Sequence, residues 1–376
     1  MALNTLPNAG LTNRGYPSDR ITTPIIINGD MSVAQRATSV TGVTSGTYKT
    51  VDRFRLMISS AGTWTVSQSD TVPTGQGFNK SFKLDCTTAD ASLGAGDILG
   101  MTQKIEGFNQ APVKKGTANA EKTTLVFWVR SNKTGTYICE LYDDQNTRQV
   151  SKSYTINSAD TWEKKVIVFP ADTSGANDFD NTAAMQVNWW LAMGSTYTSG
   201  TLSETWTSVT NANRAVGQVN LADSTSNEWY VTGVQFEVGE FDSTSIPSFP
   251  FESFENNLQK CKRYYESFGT FGDYLIGYGY GSGSDTARTS FPFTVEKRAT
   301  PTMADVSSSR QVRINWTSSD GTAVNQNSTT QATFSEPNIK NSGYVQIGGY
   351  SSIGGGQHGY CRMNNATTTY EADAEL

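Results

Sequence analysis

Between residues 25 and 240 the sequence is a succession of short segments rich in β-branched and aromatic residues, separated by Gly, Asn, Asp and Ser. Such segments predict β-strands, because branched and aromatic side chains pack well on a pleated surface and the separating residues favour turns. No helical pattern alternates with them, which favours an antiparallel sandwich over a parallel sheet. The predicted strands cover residues 25–27, 51–59, 63–69, 81–86, 98–105, 124–130, 136–142, 149–156, 162–169, 186–193 and 229–238.

The composition supports an all-β chain with polar outer faces. Only 36% of the 376 residues are hydrophobic and 17% are charged, and this length is enough for one large sandwich and a smaller module. We predict a jelly-roll β-sandwich over residues 25–250, one amphipathic helix over 251–268, and a smaller C-terminal β-sandwich-like domain over 269–376. Residues 1–24, with Pro, Gly and Asn but little apolar periodicity, are interpreted as an extended arm, either a free tail or a tie to a neighbouring protein. The predicted C-terminal strands are 274–280, 290–295, 312–316, 331–334, 344–347 and 369–376, with a glycine-rich loop at 353–359.

The helix is predicted from apolar residues that recur at alternating intervals of three and four. Two interpretations remain open. The helix packs on its own sandwich, or it forms a short contact about a symmetry axis, since just over two heptads do not sustain a coiled coil alone. The candidate oligomer contacts are Phe251, Phe254, Leu258 and Tyr265.

Charge and targeting patterns exclude several classes of partner. The net charge is -6 with both signs interspersed, so nucleic acid is not an expected partner. No stretch approaches the roughly 18 apolar residues of a membrane helix, and the N-terminus lacks the pattern of a signal peptide. We therefore expect no membrane insertion and a protein made in a cytoplasm.

The four cysteines predict neither a zinc cluster nor a redox motif. They lie far apart in the sequence and form no CxxC pair. We expect four buried free thiols, at Cys86, Cys139, Cys261 and Cys361.

Catalysis is not predicted. The only histidine is His358, in a glycine-rich segment, and the sequence contains no GxSxG or HExxH motif. A glycosidase needs only two carboxylates, and Glu237 with Glu240 is the candidate pair, although the two side chains point to opposite faces if the strand continues. We therefore expect no catalytic and no cofactor-binding residues.

Binding of a sugar is a stronger alternative. Aromatic rings stack on the apolar face of a pyranose, and the candidates are Trp189, Trp190, Trp206 and Trp229. The adjacent Trp189 and Trp190 must point to opposite faces of a strand, so one belongs to the core if a single face is buried. Packing in the core and between subunits is the other interpretation.

A structural calcium ion is a further alternative. Hard oxygen ligands would be needed, and Asn28, Asp30 and Glu237 supply them if the first and last strands of the sandwich pair. We predict no metal site other than this alternative.

Several stretches together resemble the tail-fibre and virion structural proteins of tailed bacteriophages. These are INGDMSVAQR at 27–36 with VDRF at 51–54, LVFWVRS at 125–131 with GTY at 135–137, and VQFEVG at 234–239 leading to CKRYY at 261–265. FTVEKRATPT at 293–302 and the ending DAEL are also similar to that group. The resemblance covers residues 25 to 300 and the final strand. It implies a jelly roll similar to a carbohydrate-binding module, followed by a helix and a C-terminal β module.

From the pattern and this resemblance we expect a structural protein of a phage virion, assembled in the host bacterial cytoplasm. The expected role is a tail fibre or spike component that attaches to the host surface. The resemblance further implies a homotrimer that meets a host glycan, and the arm at 1–24 would dock to other virion proteins. The alternatives are a capsid-surface fibre or decoration protein, a glycan-binding lectin module, and a polysaccharide depolymerase.

Overall fold

The computed structural model describes most of the chain. The described residues are 24–268, 275–281, 286–305, 312–317, 323–327, 332–334, 340, 342–347, 358–363 and 370–376. Contacts divide the chain into two compact units after Glu252. The predicted arm at 1–24 lies outside the described residues except for Pro24.

Twelve strands follow one another within residues 24–252, together with one short helix, α1 (Ser195–Thr198). The strands are β1 (Ser39–Val43), β2 (Arg55–Ser59), β3 (Thr63–Ser69), β4 (Ser81–Thr88), β5 (Ile98–Glu106), β6 (Thr123–Ser131), β7 (Gly135–Asp143), β8 (Arg148–Ile156), β9 (Glu163–Phe169), β10 (Ala183–Met193), β11 (Thr207–Ser208) and β12 (Glu228–Val238).

These strands form two six-stranded sheets with antiparallel pairing throughout. Sheet A has the order β1-β3-β4-β12-β6-β9, and sheet B has the order β11-β8-β7-β10-β5-β2. The chain passes repeatedly from one sheet to the other between β4 and β12, so neighbouring strands in a sheet come from distant parts of the sequence. The prediction of an all-β sandwich is confirmed.

The core lies between the two sheets. Alternate residues of each strand point inward, and the largest side chains at the centre are fully buried aromatics, among them Trp64, Phe127, Trp189 and Trp229. The rings of Phe127 and Trp189, from opposite sheets, meet edge to face with centroids 5.7 Å apart. Burial of each such side chain contributes about 1.5–3 kcal/mol to the stability of the fold. This layer of aromatic side chains therefore fixes which face of each sheet points inward.

The strand predicted at residues 25–27 is wrong, although these residues are buried as a core strand would be. Residues 25–27 form bends rather than a strand, and their isoleucines are nevertheless in the core or at its margin. The next residues approach β12 through one backbone hydrogen bond, in which the Val234 amide donates to the Gly29 carbonyl at 2.9 Å. A Cβ on Gly29 would lie 2.1 Å from the Val234 carbonyl oxygen, so this approach requires glycine.

The helix is shorter than predicted. Helix α2 (Phe254–Lys262) begins after Ser253, whose hydroxyl accepts a hydrogen bond from the Asn256 amide and caps the helix. The extended backbone of Ser253 (φ -64°, ψ 149°) prevents an earlier start. Residues 265–268 belong to a strand, so the apolar spacing over 251–268 combines three different structures.

The second unit contains two sheets of antiparallel strands. Its strands are β13 (Tyr265–Phe268), β14 (Leu275–Gly281), β15 (Ala287–Pro292), β16 (Thr302–Asp305), β17 (Val312–Thr317), β18 (Ala323–Asn327), β19 (Ala332–Phe334), β20 (Ser342–Ile347), β21 (His358–Met363) and β22 (Tyr370–Asp373). One sheet has the order β13-β22-β16 and the other β18-β17-β21-β14-β15-β20-β19. The first is anchored by a buried ion pair, Lys297 Nζ to Glu266 at 2.5 Å.

All four cysteines are free and buried, as predicted. None of the helices in the described part of the chain has the length and hydropathy needed to cross a lipid bilayer.

Candidate functional site

The outer face of sheet B carries a row of polar side chains. The register pairs Arg55 of β2 with Thr102 of β5, and Thr102 with Asn188 of β10. Asn188 is paired in turn with Glu140 of β7. Directly paired residues point to the same face, so the four side chains stand side by side across about 14 Å, three strand spacings of roughly 4.8 Å. Thr102, Asn188 and Glu140 are buried although they point away from the core.

Glu140 is buried because an arginine from the segment between β11 and β12 covers it. Arg214 donates from Nε to Oε1 at 2.8 Å and from Nη2 to Oε2 at 2.7 Å. Asn188 and Trp190 donate to the same Oε2, at 2.9 and 3.2 Å. Burial acts to lower the pKa of Arg214, but the hydrogen bonds and charge of Glu140 outweigh it and leave that pKa raised. The guanidinium carbon also lies 5.0 Å from the ring centroids of both Tyr142 and Trp190.

Trp190 lies flat against the sheet. A Cβ on Gly100, its partner on β5, would lie 2.8 Å from the indole ring, so glycine is required at this position. Ile138 and Ala215 pack against the ring in a small apolar cluster on the outer face. Trp190 is only 3% exposed and lies beneath the guanidinium of Arg214.

A groove of about 450 Å³ opens on this face between β2 and the segment that carries Arg214. Its volume falls in the range of about 300–1,000 Å³ that small-molecule sites occupy. Met57 and Ile98 give it an apolar strip, and Arg55, Tyr142 and Gln186 border that strip with polar groups. An apolar surface with a few converging polar groups is the usual composition of a ligand site.

Asp144 closes one end of the groove just after β7. Its Oδ1 accepts a hydrogen bond from Gln186 Nε2 at 2.7 Å, and its Oδ2 is buried without a hydrogen-bond partner among the described residues. Burial raises the pKa of this carboxyl, while the Gln186 hydrogen bond and the charge of Lys104 act in the opposite direction. The carboxylate therefore holds Gln186 in place.

Two polar groups of the groove are available to a ligand. The side chains of Arg55 and Tyr142 form no hydrogen bond with any residue that the structure describes, and both are half-buried. Burial raises the pKa of Tyr142, with the positive charge of Arg214 opposing it, so the phenol keeps its proton at neutral pH. The groove thus offers a guanidinium and a phenol that hydrogen-bond readily.

The predicted tryptophans do not form one surface platform. Trp189 and Trp229 are in the core and Trp190 is buried beneath Arg214, which corrects the expectation that these three contact a glycan directly. Trp206 is half-buried against the core and donates from Nε1 to the Pro170 carbonyl at 2.8 Å. The prediction that Trp189 and Trp190 point to opposite faces is confirmed, because one lies in the main core and the other in the outer cluster.

The four predicted oligomer contacts have different environments. Phe251 and Phe254 are 53% and 54% exposed, and Leu258 is half-buried. Tyr265 is 1% exposed and belongs to β13, which corrects its assignment as a helix contact.

The predicted calcium ligands have protein partners. The Asn28 side chain donates to the Val33 and Asp52 carbonyls and accepts from the Val33 amide, all at 2.9 Å. Asp30 accepts from Ser32 within its own turn. Across the described residues no group of three or more His, Cys, Asp or Glu could hold a metal ion. The calcium site remains a prediction.

The residues considered for catalysis contact other side chains of the protein. Glu237 accepts a hydrogen bond from Gln235 at 2.7 Å, and Glu240 pairs with Lys122 at 2.6 Å. The strand ends at Val238, so the alternation assumed for Glu237 and Glu240 does not apply. His358 begins β21 rather than lying in a loop, and its ring is 6.4 Å from that of Tyr280.

Comparisons with known proteins give similarities of fold. No family model and no curated protein matches the chain. Among solved structures it is similar to the enzymatically active domain of bacteriophage CBA120 tailspike protein 4, with 14% identity over 57% of this chain and 21% of that one, at a TM-score of 0.29. It is also similar to the family 11 carbohydrate-binding module from Clostridium thermocellum in complex with a mixed-linked tetrasaccharide, with 10% identity over 55% of this chain and 99% of that one, at a TM-score of 0.29.

A third similar structure is a family 16 carbohydrate-binding module, with 17% identity over 46% of this chain and 84% of that one, at a TM-score of 0.24. The chain thus spans about a fifth of the length of the tailspike domain and most of the length of the two modules.

The central residues of the groove were not predicted from the sequence. Glu140 and Arg214 are 74 residues apart, and only the register of β7 with β10 brings their surroundings together. One available signal is the acidic side chain of Glu140 within a strand otherwise rich in apolar residues, since a charged residue there needs a partner.

Proposed function

We propose that this chain is an attachment protein of a phage virion that binds a host-surface saccharide in the groove on sheet B. The observation that carries the proposal is the groove itself, an apolar strip of Met57 and Ile98 bordered by Arg55 and Tyr142, whose side chains form no hydrogen bond with a described residue. A pyranose ring presents an apolar face and a rim of hydroxyls, so this arrangement matches both of its surfaces. The virion assignment is supported by the sequence motifs that resemble tail-fibre proteins.

The floor of the groove supports this proposal because it is held rigidly. Arg214 is fixed by two hydrogen bonds to Glu140 and by the rings on either side of it. Groups that are already held in place lose little conformational entropy on binding, which favours affinity for a weakly held ligand such as a sugar.

Calorimetric titration of the full-length protein with oligosaccharides from the host surface tests the proposal. Tyr142→Phe removes only the phenol oxygen and is expected to weaken binding about 3- to 10-fold, the value of one hydrogen bond. Tyr360→Phe, at an exposed tyrosine of the second unit, is the matched control and should bind as the unaltered protein does. Equal loss in both variants, or no binding of any host saccharide, would reject the groove as the site.

The role on the virion needs a separate test. Purified protein added to host cells should compete with virions for adsorption, and the Tyr142→Phe protein should compete less well. Labelling of intact virions with an antibody to the protein distinguishes a tail position from the alternative of a capsid-surface fibre. Absence of label on the virion would contradict the virion role.

We also propose a homotrimer in which Phe251 and Phe254 contact neighbouring subunits. Both rings leave about half of their surface exposed and lie only three residues apart, so a neighbouring subunit that covers them would bury apolar surface. Light scattering after size exclusion should give about three times 40.8 kDa, and Phe254→Ser should shift the protein towards monomer. A monomeric unaltered protein would contradict the trimer.

A further inference from the structure

Three charged side chains line the groove, and they differ in how well they are neutralised. Arg214 is paired with Glu140 through two hydrogen bonds of 2.8 and 2.7 Å, so their charges largely cancel. Asp144 lies at the far end of the groove, hydrogen-bonded to Gln186. Neither pairing involves the third charge, Arg55.

Arg55 is the positive charge of the groove that is not paired with a described carboxylate. It lies on β2, the edge strand of sheet B, with its side chain on the outer face beside Thr102. It forms no ion pair and no hydrogen bond with any described residue, although it is half-buried. A partly desolvated guanidinium gains most from a carboxylate, whose two oxygens match its two parallel N–H donors.

The surroundings of Arg55 strengthen this preference. The other positive group of the groove, Arg214, is already paired with Glu140, so Arg55 is the cation that a negatively charged ligand would meet. On the same row, Thr102 Oγ1 and Asn188 Oδ1 are buried without hydrogen-bond partners in the described structure. Neither oxygen carries a charge that could neutralise Arg55.

We propose that the groove selects an acidic saccharide, whose carboxylate pairs with Arg55 while its hydroxyls meet Tyr142 and Gln186. This inference rests on the proposed saccharide binding and adds the chemical class of the sugar. Arg55 and Tyr142 are separated by three strand spacings and an offset of two residues, about 16 Å at the backbone, so an oligosaccharide is long enough to contact both side chains.

The test compares two ligands that differ only in charge. One is a uronic-acid oligosaccharide, and the other is the neutral oligosaccharide made from it by reduction of its carboxyl groups. The unaltered protein is expected to bind the acidic form at least about 10-fold more tightly, since a charge-assisted pair is worth roughly 1.5–3 kcal/mol and each 1.4 kcal/mol is tenfold. Arg55→Gln should abolish this preference, because the acidic form loses an ion pair where the neutral form loses at most an ordinary hydrogen bond.

The matched control is Lys164→Gln, which removes one exposed positive charge from sheet A of the same sandwich. It should keep the 10-fold preference. Equal binding of the acidic and neutral forms by the unaltered protein would overturn the acidic selection while leaving saccharide binding in place. Binding of neither form would overturn both proposals. If Arg55→Gln and Lys164→Gln lose the preference for the acidic form equally, the net charge of the protein and not Arg55 is its cause.

Discussion

Replacement of Arg214 by methionine should destabilise the first unit strongly. The change leaves the fully buried carboxylate of Glu140 with only Asn188 and Trp190 as donors. Two charge-assisted hydrogen bonds of about 1.5–3 kcal/mol each are lost, and breaking a buried ion pair by removal of one partner costs about 3–5 kcal/mol in general. We therefore expect a loss of about 3–5 kcal/mol.

Thermal unfolding followed by tryptophan fluorescence measures this loss. The signal reports the first unit, because Trp316 is the only one of the eight tryptophans in the second. For a unit of this size each kcal/mol shifts the midpoint by about 2–4 °C, so the expected decrease is roughly 6–20 °C. Lys80→Met, which breaks the exposed pair with Asp70, is the control and should cost less than about 1 kcal/mol.

A second substitution tests the cause. Adding Glu140→Gln to Arg214→Met removes the unpaired charge and keeps an oxygen that accepts from Asn188, so the double variant should be more stable than Arg214→Met alone. A loss below 1 kcal/mol for Arg214→Met, or a double variant less stable than either single one, would refute the account of the ion pair.

Three further predictions concern other parts of the protein. Gly100→Ala should lower stability by about 1–3 kcal/mol and change the near-ultraviolet circular dichroism, because its Cβ would press on the indole ring packed over it; an unchanged spectrum would contradict this packing. Burial raises the pKa of Cys86 and of Cys361 to about 11, so neither thiol should react with a thiol reagent at pH 8 until the protein is unfolded; rapid reaction in the native state would be inconsistent with the structure. Burial acts to raise the pKa of Glu163, but hydrogen bonds, led by that of Lys165, lower it from 4.5 to about 2. The contribution of Glu163 to folding stability is therefore complete above pH 4.5 and is lost as the pH falls towards 2. Glu163→Gln should reduce the slope of stability against pH between these two values.

The strands of the first unit were predictable because their composition and alternation are local properties. β3 (Thr63–Ser69) was predicted at its observed bounds, and β8 (Arg148–Ile156) to within one residue. β1 (Ser39–Val43) was missed because it is short, mostly exposed and contains Gly42 at a positive φ of 68°. Such a segment becomes a strand only by pairing with β3.

The helix and the tryptophans show where local patterns mislead. Phe251 belongs to an aromatic cluster with Phe78 and Phe249, and Tyr265 to a strand, yet both fit the spacing of α2 (Phe254–Lys262). The alternation of Trp189 and Trp190 was predictable from strand geometry. Burial of both was not, because it depends on a segment about 25 residues further along the chain.

The groove could not be predicted from the sequence because it is made by register and by a covering segment. Arg55, Glu140 and Arg214 belong to distant parts of the chain, and only Glu140 carries a sequence signal, as a charge within an otherwise apolar strand. The roles of the two arginines differ because Arg214 is paired with the buried Glu140, whereas Arg55 has no partner among the described residues.

Hydrogen exchange of the full-length protein, with and without a bound host-surface oligosaccharide, tests the central claim most directly. We predict slower exchange in β2, β7 and β10 and in the segment that carries Arg214, with little change in sheet A. Protection confined to β14 and β21, where the exposed rings of Tyr278 and Tyr360 lie 4.7 Å apart, would place the binding site in the second unit and contradict the account.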